Sequence, residues 1–174
     1  MITPSPRPNE PSRRVRLATM SDLSYVYSLQ ARYHDEVGYC PRGGLIHRID
    51  TKRILIVEEN DSPAGYVSAT HRRDGRTHLT QIAIDPWLWR TTAGTVLLRR
   101  LTTSARMHGS RWMTLKCAQL LPANEFWTAQ GFAVTEVRRE QVRPLNCYAK
   151  ALTTNTRFPP TAPSAQLEKM NGLR

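Results

Sequence analysis

The stretch that decides the fold is residues 78–101, HLTQIAIDPWLWRTTAGTVLLRRL. Its first part, residues 78–85, predicts a β-strand that ends at Pro86, and its second part predicts a helix with one apolar face. That face carries Leu97, Leu98, Leu101 and Ala105. A loop that leads into a helix N-terminus presents backbone amides that bind phosphate well. The junction therefore predicts either a phosphate site or an ordinary helix entry with threonine caps.

The residues of this loop suit an anion. Arg90 adds a positive charge just before the helix, and the side chains that follow it are small enough for an anion to reach the amides. These small residues are Thr91, Thr92, Ala93, Gly94 and Thr95.

Outward from this junction, the segments follow the order βα, ββ, βαβαββ. Residues 19–22 (TMSD) form a capping box at the start of a helix, and residues 60–65 (NDSPAG) form the turn of a hairpin. The predicted strands are residues 15–17, 53–58, 66–70, 78–85, 112–117, 132–137 and 145–152. The predicted helices are residues 21–33, a short piece at 45–49, one that ends near Gly109, and 122–130. This order predicts a mixed α+β sheet with helices on both faces.

The chain has 174 residues, a usual length for one domain. Seven of its 12 prolines lie in the first 14 and last 22 residues, which are poor in large apolar side chains. We therefore expect flexible tails at 1–14 and 153–174 around a folded domain at 15–152.

The chain is strongly basic. Its 25 Lys and Arg against 14 Asp and Glu give a net charge of +11, of which the two tails carry +4 and the core +7. A basic fold attracts nucleic acid, a nucleotide cofactor or an anionic substrate, although charge that merely keeps a surface solvated is equally compatible with these numbers.

The three cysteines, Cys40, Cys117 and Cys147, have no metal-ligand spacing, so we expect neither a disulfide framework nor a metal site. No apolar run is long enough for a membrane span or a signal peptide. We expect a cytoplasmic protein without a membrane partner, as a monomer or a homodimer.

At the 78–101 junction the sequence resembles the GNAT superfamily of acyl-CoA-dependent N-acyltransferases. Ile84-Asp85-Pro86 matches the family's turn after the strand, Gly94 matches the last glycine of its (Q/R)xxGx(G/A) motif, and Leu97-Leu98 match its leucine pair. Residues 123–132 (ANEFWTAQGF) are similar to the family's Asn…Phe-Tyr…Gly-Phe segment. The resemblance covers about residues 15–152.

This resemblance implies the family's fold. We expect a mixed αβα sandwich with a mostly antiparallel sheet of six to seven strands, flanked by about four helices and splayed between strands 4 and 5. It implies acetyl-CoA or a related acyl-CoA as co-substrate. The residues expected at the coenzyme are Ile82, Ala83, Ile84, Trp89, Arg90, Thr91, Thr92, Ala93, Gly94, Thr95, Asn124 and Trp127.

Three positions depart from the family pattern. Trp89 stands at the Gln or Arg position of the motif, and Thr92 stands at its first glycine. Trp127 replaces the tyrosine that often protonates the departing thiolate, and an indole cannot act as an acid. Either another group donates this proton, or the thiolate leaves without help.

The implied mechanism is direct attack of a neutral amine on the thioester, with a backbone amide of the strand supporting the oxyanion. Where the family often has a glutamate base, this chain has His78, which titrates near neutrality, and Gln81, which can only orient a water. His78 is also compatible with a surface position at a strand edge. Tyr148 on the last strand is a third candidate for the catalytic site, and Tyr39 and Arg42 are candidates for binding the acceptor.

We therefore expect an N-acyltransferase whose acceptor is a primary amine, carried on DNA or RNA or belonging to a small molecule. The alternative from another class is a non-catalytic, basic nucleic-acid-binding module that retains the GNAT fold. Binding of acetyl-CoA distinguishes the two.

Overall fold

The structure is a computed structural model that describes residues 12–140 and 142–153. Most of the two predicted tails, residues 1–11 and 154–174, lies outside the described residues. Thr153, the first residue of the predicted C-terminal tail, is described and follows the last strand.

The elements follow the predicted order. The strands are β1 (Arg13–Leu17), β2 (Ile54–Glu59), β3 (Ser62–His71), β4 (Arg76–Ile84), β5 (Trp112–Ala118), β6 (Ala133–Arg139) and β7 (Pro144–Ala151). The helices are α1 (Leu23–Arg32), α2 (His34–Val37), α3 (Arg42–Asp50), α4 (Ala93–Met107) and α5 (Ala123–Ala129), with short 3-10 turns at Met20–Asp22 and Pro86–Leu88. The predicted α+β class is confirmed, with five α-helices among the described residues where about four were expected.

The strands form one seven-stranded sheet in the order β1-β2-β3-β4-β5-β7-β6. β4 and β5 are parallel and pair Arg76–His78 with Trp112–Thr114, while β1 with β2, β2 with β3, β5 with β7 and β6 with β7 are antiparallel. The parallel register covers only the first third of β4, which is consistent with the splay that the resemblance implies.

The chain divides into two compact units. Unit 1 contains the described residues up to Ser68 together with Gln81–Leu101, and unit 2 contains Ala69–Thr80 together with the described residues from Thr102 onward. Each unit has buried residues of its own.

The core of unit 1 lies between α1, α3 and the strands β2 to β4. It contains Leu23, Val26 and Leu29 of α1, Leu45 and Ile49 of α3, and Ile54, Ile56, Tyr66 and Ala83 of the strands. A second cluster joins the start of α4 to the sheet: Ala64, Ile84, Leu88 and Ala93. All six residues of β2 are buried. For residues 54–57 this is expected from a continuous apolar run, whereas the carboxylates of Glu58 and Glu59 are paired with arginines of β1.

In unit 2, β5 pairs with β7, and α5 contacts β5. Trp127 of α5 is buried and meets the rings of Phe126 and Phe132 edge-on, with centroids 5.0 and 5.5 Å apart. The buried strand residues include Met113, Leu115 and Cys117. The cysteines Cys40, Cys117 and Cys147 are all buried thiols without disulfides.

Several predicted boundaries differ from the structure, and α2 was not predicted. β1 begins at Arg13, two residues before the predicted core, because Arg13 pairs across the ladder with the buried Glu59. α3 begins at Arg42, inside the predicted loop 38–44. Pro41 ends the extended segment there, and a Cβ on Gly44 would lie 2.8 Å from the Cys40 sulfur, so this close approach requires glycine.

The hairpin turn is also shorter than predicted. β3 begins at Ser62, so the turn consists of Asn60 and Asp61 alone. Both have positive φ, 50° and 64°, which Asn and Asp tolerate better than most side chains.

Candidate active site

The turn after β4 is anchored to α1. Asp85 accepts hydrogen bonds from the Tyr25 hydroxyl at 2.7 Å and from Arg32 at 3.4 Å, and its amide donates to the Ala64 carbonyl at 3.0 Å. Burial and the neighbouring Asp85 carboxylate raise the pKa of Tyr25. Asp85 therefore fixes the end of β4.

The Trp89 indole N–H donates to the Ile84 carbonyl at 2.9 Å, and its ring packs 5.8 Å from that of Tyr33, although 57% of the residue is exposed. Arg90 follows with a φ of 61° and an exposed side chain. Within the described part of the chain, no hydrogen bond or ion pair occupies the Arg90 guanidinium, so its charge is available to an anion.

Thr91 and Thr92 lead into α4. The Thr91 hydroxyl donates to the Leu88 carbonyl at 2.7 Å and accepts from the Ala93 amide at 3.2 Å, while the Thr92 carbonyl accepts from the Val96 amide at 2.9 Å. The first turn of α4, with Gly94 and Thr95, therefore directs its amides towards this loop. Together with the Arg90 guanidinium, these donors match the chemistry of a diphosphate group.

β4 supplies the second half of the expected coenzyme site. Among the described residues its parallel ladder with β5 ends at His78, and the strand continues to Ile84. The backbone of Ile82, Ala83 and Ile84 is thus placed beyond that ladder, directly before the loop that carries Arg90.

Gln81 lies in a buried hydrogen-bond network of unit 1. Its side-chain amide donates to the Gln30 oxygen at 3.1 Å and to the Gly38 carbonyl at 2.9 Å. Gln30 donates to the Cys40 carbonyl at 2.7 Å and accepts from the Cys40 amide at 3.0 Å. The two glutamines therefore hold the chain between α2 and α3, and the donors of Gln81 are committed to this role.

The two candidate acceptor residues flank this network. Tyr39 is 62% exposed, and a hydrogen bond with Tyr27 raises its pKa. Arg42 is exposed at the first position of α3.

His78 lies on the face of β4 opposite to Gln81, because their positions differ by an odd number of residues along the strand. Its Nδ1 is 3.1 Å from the Thr114 hydroxyl. Burial, followed by the positive charges of Arg72 and Lys116, lowers the pKa of His78, so the imidazole is neutral near pH 7. A neutral imidazole can accept a proton.

Tyr148, Asn124 and Trp127 come together in unit 2. The buried Tyr148 hydroxyl donates to the Asn124 side-chain oxygen at 2.8 Å, and the Asn124 amide donates to the carbonyls of Leu121 and Ala118 at 2.7 and 2.8 Å. Asn124 thus joins α5 to the loop after β5 and to β7. Trp127 is buried, and its hydrogen bond to Cys117 opposes the effect of burial, which raises the pKa of that thiol.

Sequence reasoning missed two residues of these networks, Gln30 and Arg13. Gln30 had a detectable signal, since it occupies the apolar stripe of α1 at Leu23, Val26 and Gln30. A polar side chain at such a position needs buried partners. Arg13 had no comparable signal, because it lies in a proline-rich segment with tail-like composition.

We also searched the described residues for membrane-spanning helices and for metal sites. No helix in the described residues is long and apolar enough to cross a membrane. The same residues contain no group of three or more His, Cys, Asp or Glu side chains that could hold a metal ion.

The fold and the loop before α4 define an acyl-CoA-dependent transferase class. The chain matches the model of the Acetyltransferase (GNAT) family over residues 16–132, and it belongs to that family. It is thus a GNAT-type N-acetyltransferase with acetyl-CoA as co-substrate. A search of curated proteins gives no match to this chain.

Solved structures share the fold at low sequence identity. Ard1 from Thermoplasma volcanium superposes with a TM-score of 0.73 at 14% identity, covering 81% of this chain and 98% of its own. The ribosomal-protein-S18-alanine N-acetyltransferase from Escherichia coli gives 0.70 at 17% identity, with 84% and 100% covered. The protein yncA from Salmonella typhimurium, solved with its cofactor acetyl-CoA, gives 0.69 at 18% identity, with 86% and 99% covered.

Proposed function

We propose that this enzyme transfers an acetyl group from acetyl-CoA to a primary amine carried on a nucleic acid. The observation that supports an anionic acceptor is a group of four arginines in unit 2, which we call the arginine cluster: Arg72, Arg73, Arg76 and Arg111.

The arginine cluster surrounds the turn between β3 and β4. Arg72 and Arg76 approach the same carboxylate oxygen of Asp74, at 3.6 and 3.5 Å. The Arg111 amide donates to the Gly75 carbonyl at 2.8 Å, and a Cβ on Gly75 would lie 3.4 Å from the Arg111 Nε. Asp74 is thus the one acidic side chain of this turn, with Arg72 and Arg76 beside it, Arg73 next to it in sequence and the Arg111 guanidinium at Gly75. This leaves an excess of positive charge that suits phosphates.

The excess of basic over acidic residues is also larger in unit 2 than in unit 1. Among the described residues, unit 2 carries ten Lys and Arg against four Asp and Glu, whereas unit 1 carries eleven against eight. Most of the basic excess thus lies in the unit that contains the arginine cluster.

The cluster is electrostatically linked to the proposed base. Arg72 is one of the two cations that lower the pKa of His78. A phosphate bound at Arg72 would offset this effect and raise the basicity of His78 when the acceptor arrives. We propose that Nε2 of His78, with Nδ1 facing Thr114, first removes a proton from the ammonium group of the acceptor. The neutral amine then attacks the thioester carbonyl, the C–S bond breaks, and the proton that the nitrogen loses neutralises the departing coenzyme A thiolate.

On the coenzyme side, bound acetyl-CoA supplies an activated thioester carbonyl. Arg90 and the first-turn amides of α4 would bind its diphosphate, and the backbone of Ile82, Ala83 and Ile84 would pair with the pantetheine arm. Trp89 and Thr91 shape this loop through their contacts with Ile84 and Leu88. The hydrogen bonds of Gln81, Asn124 and Tyr148 support positioning roles for these three residues rather than proton transfer.

The buried thiols of Cys40, Cys117 and Cys147 support a reducing compartment such as the cytoplasm. Tyr39 and Arg42, exposed beside the Gln81 network, are the proposed contacts for the acceptor in unit 1.

Radiolabelled acetyl transfer tests the acceptor class. The full chain is incubated with labelled acetyl-CoA and with aminoacylated tRNA, a DNA oligonucleotide that bears an aminoalkyl base, or a mixture of small amines. We expect label in nuclease-sensitive material. Label in small amines alone would contradict a nucleic-acid acceptor and leave the transferase class intact.

Salt dependence tests the arginine cluster. Binding of the preferred nucleic acid should weaken with salt, and the Arg73→Gln, Arg111→Gln double variant should reduce the slope of log K against log salt by more than about one, because each lost phosphate contact removes roughly 0.7 to 0.9. Arg53→Gln, at an exposed arginine of unit 1, is the matched control. Equal slopes in all three proteins would rule out a role for the cluster.

A further inference from the structure

Arg13 of β1 connects the N-terminal strand to the loop before α4. Its guanidinium holds both oxygens of the Glu59 carboxylate, with Nε at 2.6 Å and Nη2 at 3.0 Å, and its Nη1 donates to the Thr92 hydroxyl at 2.7 Å. Arg13 and Glu59 are opposite each other in the β1–β2 ladder. Their side chains are only 15% and 6% exposed, so the Arg13 guanidinium is held firmly at this position of the strand.

Thr92 is the residue at which this chain departs from the family's loop glycine. Its carbonyl accepts the hydrogen bond from the Val96 amide at the start of α4. A threonine here brings a Cβ, a methyl and a hydroxyl to a place where glycine would leave the backbone uncovered. The bond from Arg13 fixes the direction of that hydroxyl.

We propose that Arg13 is a positioning residue for the coenzyme, acting through Thr92. By holding the Thr92 hydroxyl, Arg13 keeps the residue before α4 in one orientation, so that the first turn of the helix is ready for the diphosphate. A preformed loop loses less conformational entropy on binding than one that must be ordered by the ligand. This inference rests on the proposed coenzyme site.

Arg13 does not act as a direct phosphate ligand in this proposal. Its charge is balanced by Glu59, and three of its N–H groups are used by Glu59 and Thr92. Arg90, whose guanidinium meets no acid or acceptor in the described residues, carries the charge that faces the phosphates.

The test measures the Kd of acetyl-CoA by calorimetry. Thr92→Val keeps the branched shape, replaces the hydroxyl by a methyl group, and leaves the Arg13–Glu59 pair intact. We expect the Kd to rise about tenfold in Thr92→Val and to return to within about twofold of the wild type in Thr92→Ser, since a serine hydroxyl can accept the same bond. Thermal unfolding without ligand verifies that each variant is folded.

A double-variant cycle separates positioning from direct binding. In the Thr92→Gly background there is no hydroxyl to hold, so adding Arg13→Gln should leave the Kd unchanged. Arg14→Gln, on the same strand but paired with Glu58 and Asp61, is the control and should bind like the wild type.

The outcomes are distinct. A Thr92→Val Kd equal to that of the wild type, or further weakening by Arg13→Gln in the Thr92→Gly background, would overturn the role of Arg13 while leaving the coenzyme site standing. Absence of acetyl-CoA binding by the wild type would overturn the coenzyme site itself, and this inference with it.

Discussion

The indole N–H of Trp89 donates to the carbonyl oxygen of Ile84 at 2.9 Å. The residue at the family's Gln or Arg position therefore closes the turn between β4 and α4 instead of presenting a charge to the coenzyme. Arg90, the next residue, has a left-handed backbone conformation and is the residue proposed to bring that charge to the coenzyme.

Replacing Trp89 by Phe should loosen this turn. The ring can still pack against Tyr33, but the bond to Ile84 is lost, which costs about 1 kcal/mol of unfolding free energy in urea denaturation. Trp87→Phe is the matched control, because Trp87 is similarly exposed and its indole N–H makes no hydrogen bond among the described residues. Equal stability of the two variants would show that the Trp89 bond contributes nothing.

The Asn124–Tyr148 pair should be thermodynamically coupled. Asn124→Ala leaves the buried Tyr148 hydroxyl without its partner and should destabilise the protein by about 2 kcal/mol, whereas Tyr148→Phe should cost about 1 kcal/mol. The double variant should lose about 1 kcal/mol less than the sum of the two single losses, because either single change already breaks the hydrogen bond between the two residues. Strictly additive losses would contradict this network.

Arg16 should be far more important for folding than Arg14. Arg16 binds two buried carboxylates, Asp22 at 2.6 Å and Glu58 at 2.7 Å. It lowers the pKa of Asp22, while Arg14 and then Arg16 lower the pKa of Glu58. Arg16→Met leaves both carboxylates with one fewer cation and should cost about 3 kcal/mol in urea denaturation. Arg14 also contacts Glu58 but is 60% exposed, so Arg14→Met should have a much smaller effect. Comparable losses of unfolding free energy in the two variants would contradict this explanation.

The imidazole rings of His71 and His108 stack with centroids 4.0 Å apart, which predicts sensitivity to acid. Burial first, and then the charge of His108, lower the pKa of His71 in the folded protein. A lowered pKa means that the unfolded chain binds the proton more readily, so stability is lost as the pH falls through the ordinary histidine range. The melting temperature should therefore drop between about pH 7.5 and about pH 5.5.

His108→Gln removes one charge from the stack and should flatten this dependence in part, with the half-buried His78 still contributing. His47→Gln, at an exposed position of α3, should not change it. An unaltered pH profile in His108→Gln would argue against the stack as its source.

The order of elements and the loop before α4 were predictable because they depend on local patterns. Apolar periodicity, Pro86 and the small residues 91–95 are all visible over a few positions. The start of α3 was not predictable in this way, since Gly43 and Gly44 suggest a loop. The tertiary contacts of this segment are made by Leu45 and Ile49, which are buried in the core of unit 1 with residues of α1 and the strands.

The roles of individual site residues depended still more on tertiary contacts. Gln81 was expected to orient a water, yet Gln30 and Gly38, far away in sequence, engage its amide. The bond from Arg13 to Thr92 spans 79 positions along the chain. No pattern within one segment contains such information, so the sequence could not assign these hydrogen bonds to individual side chains.

Thermal unfolding of the full chain with acetyl-CoA, free CoA or buffer tests the central claim most directly. A ligand that binds only the folded state, present at a hundred times its Kd, adds roughly 2.7 kcal/mol and raises the melting temperature clearly. We predict such a rise for the wild type and a smaller one for Arg90→Gln. No rise with acetyl-CoA at either low or high salt would contradict a working coenzyme site.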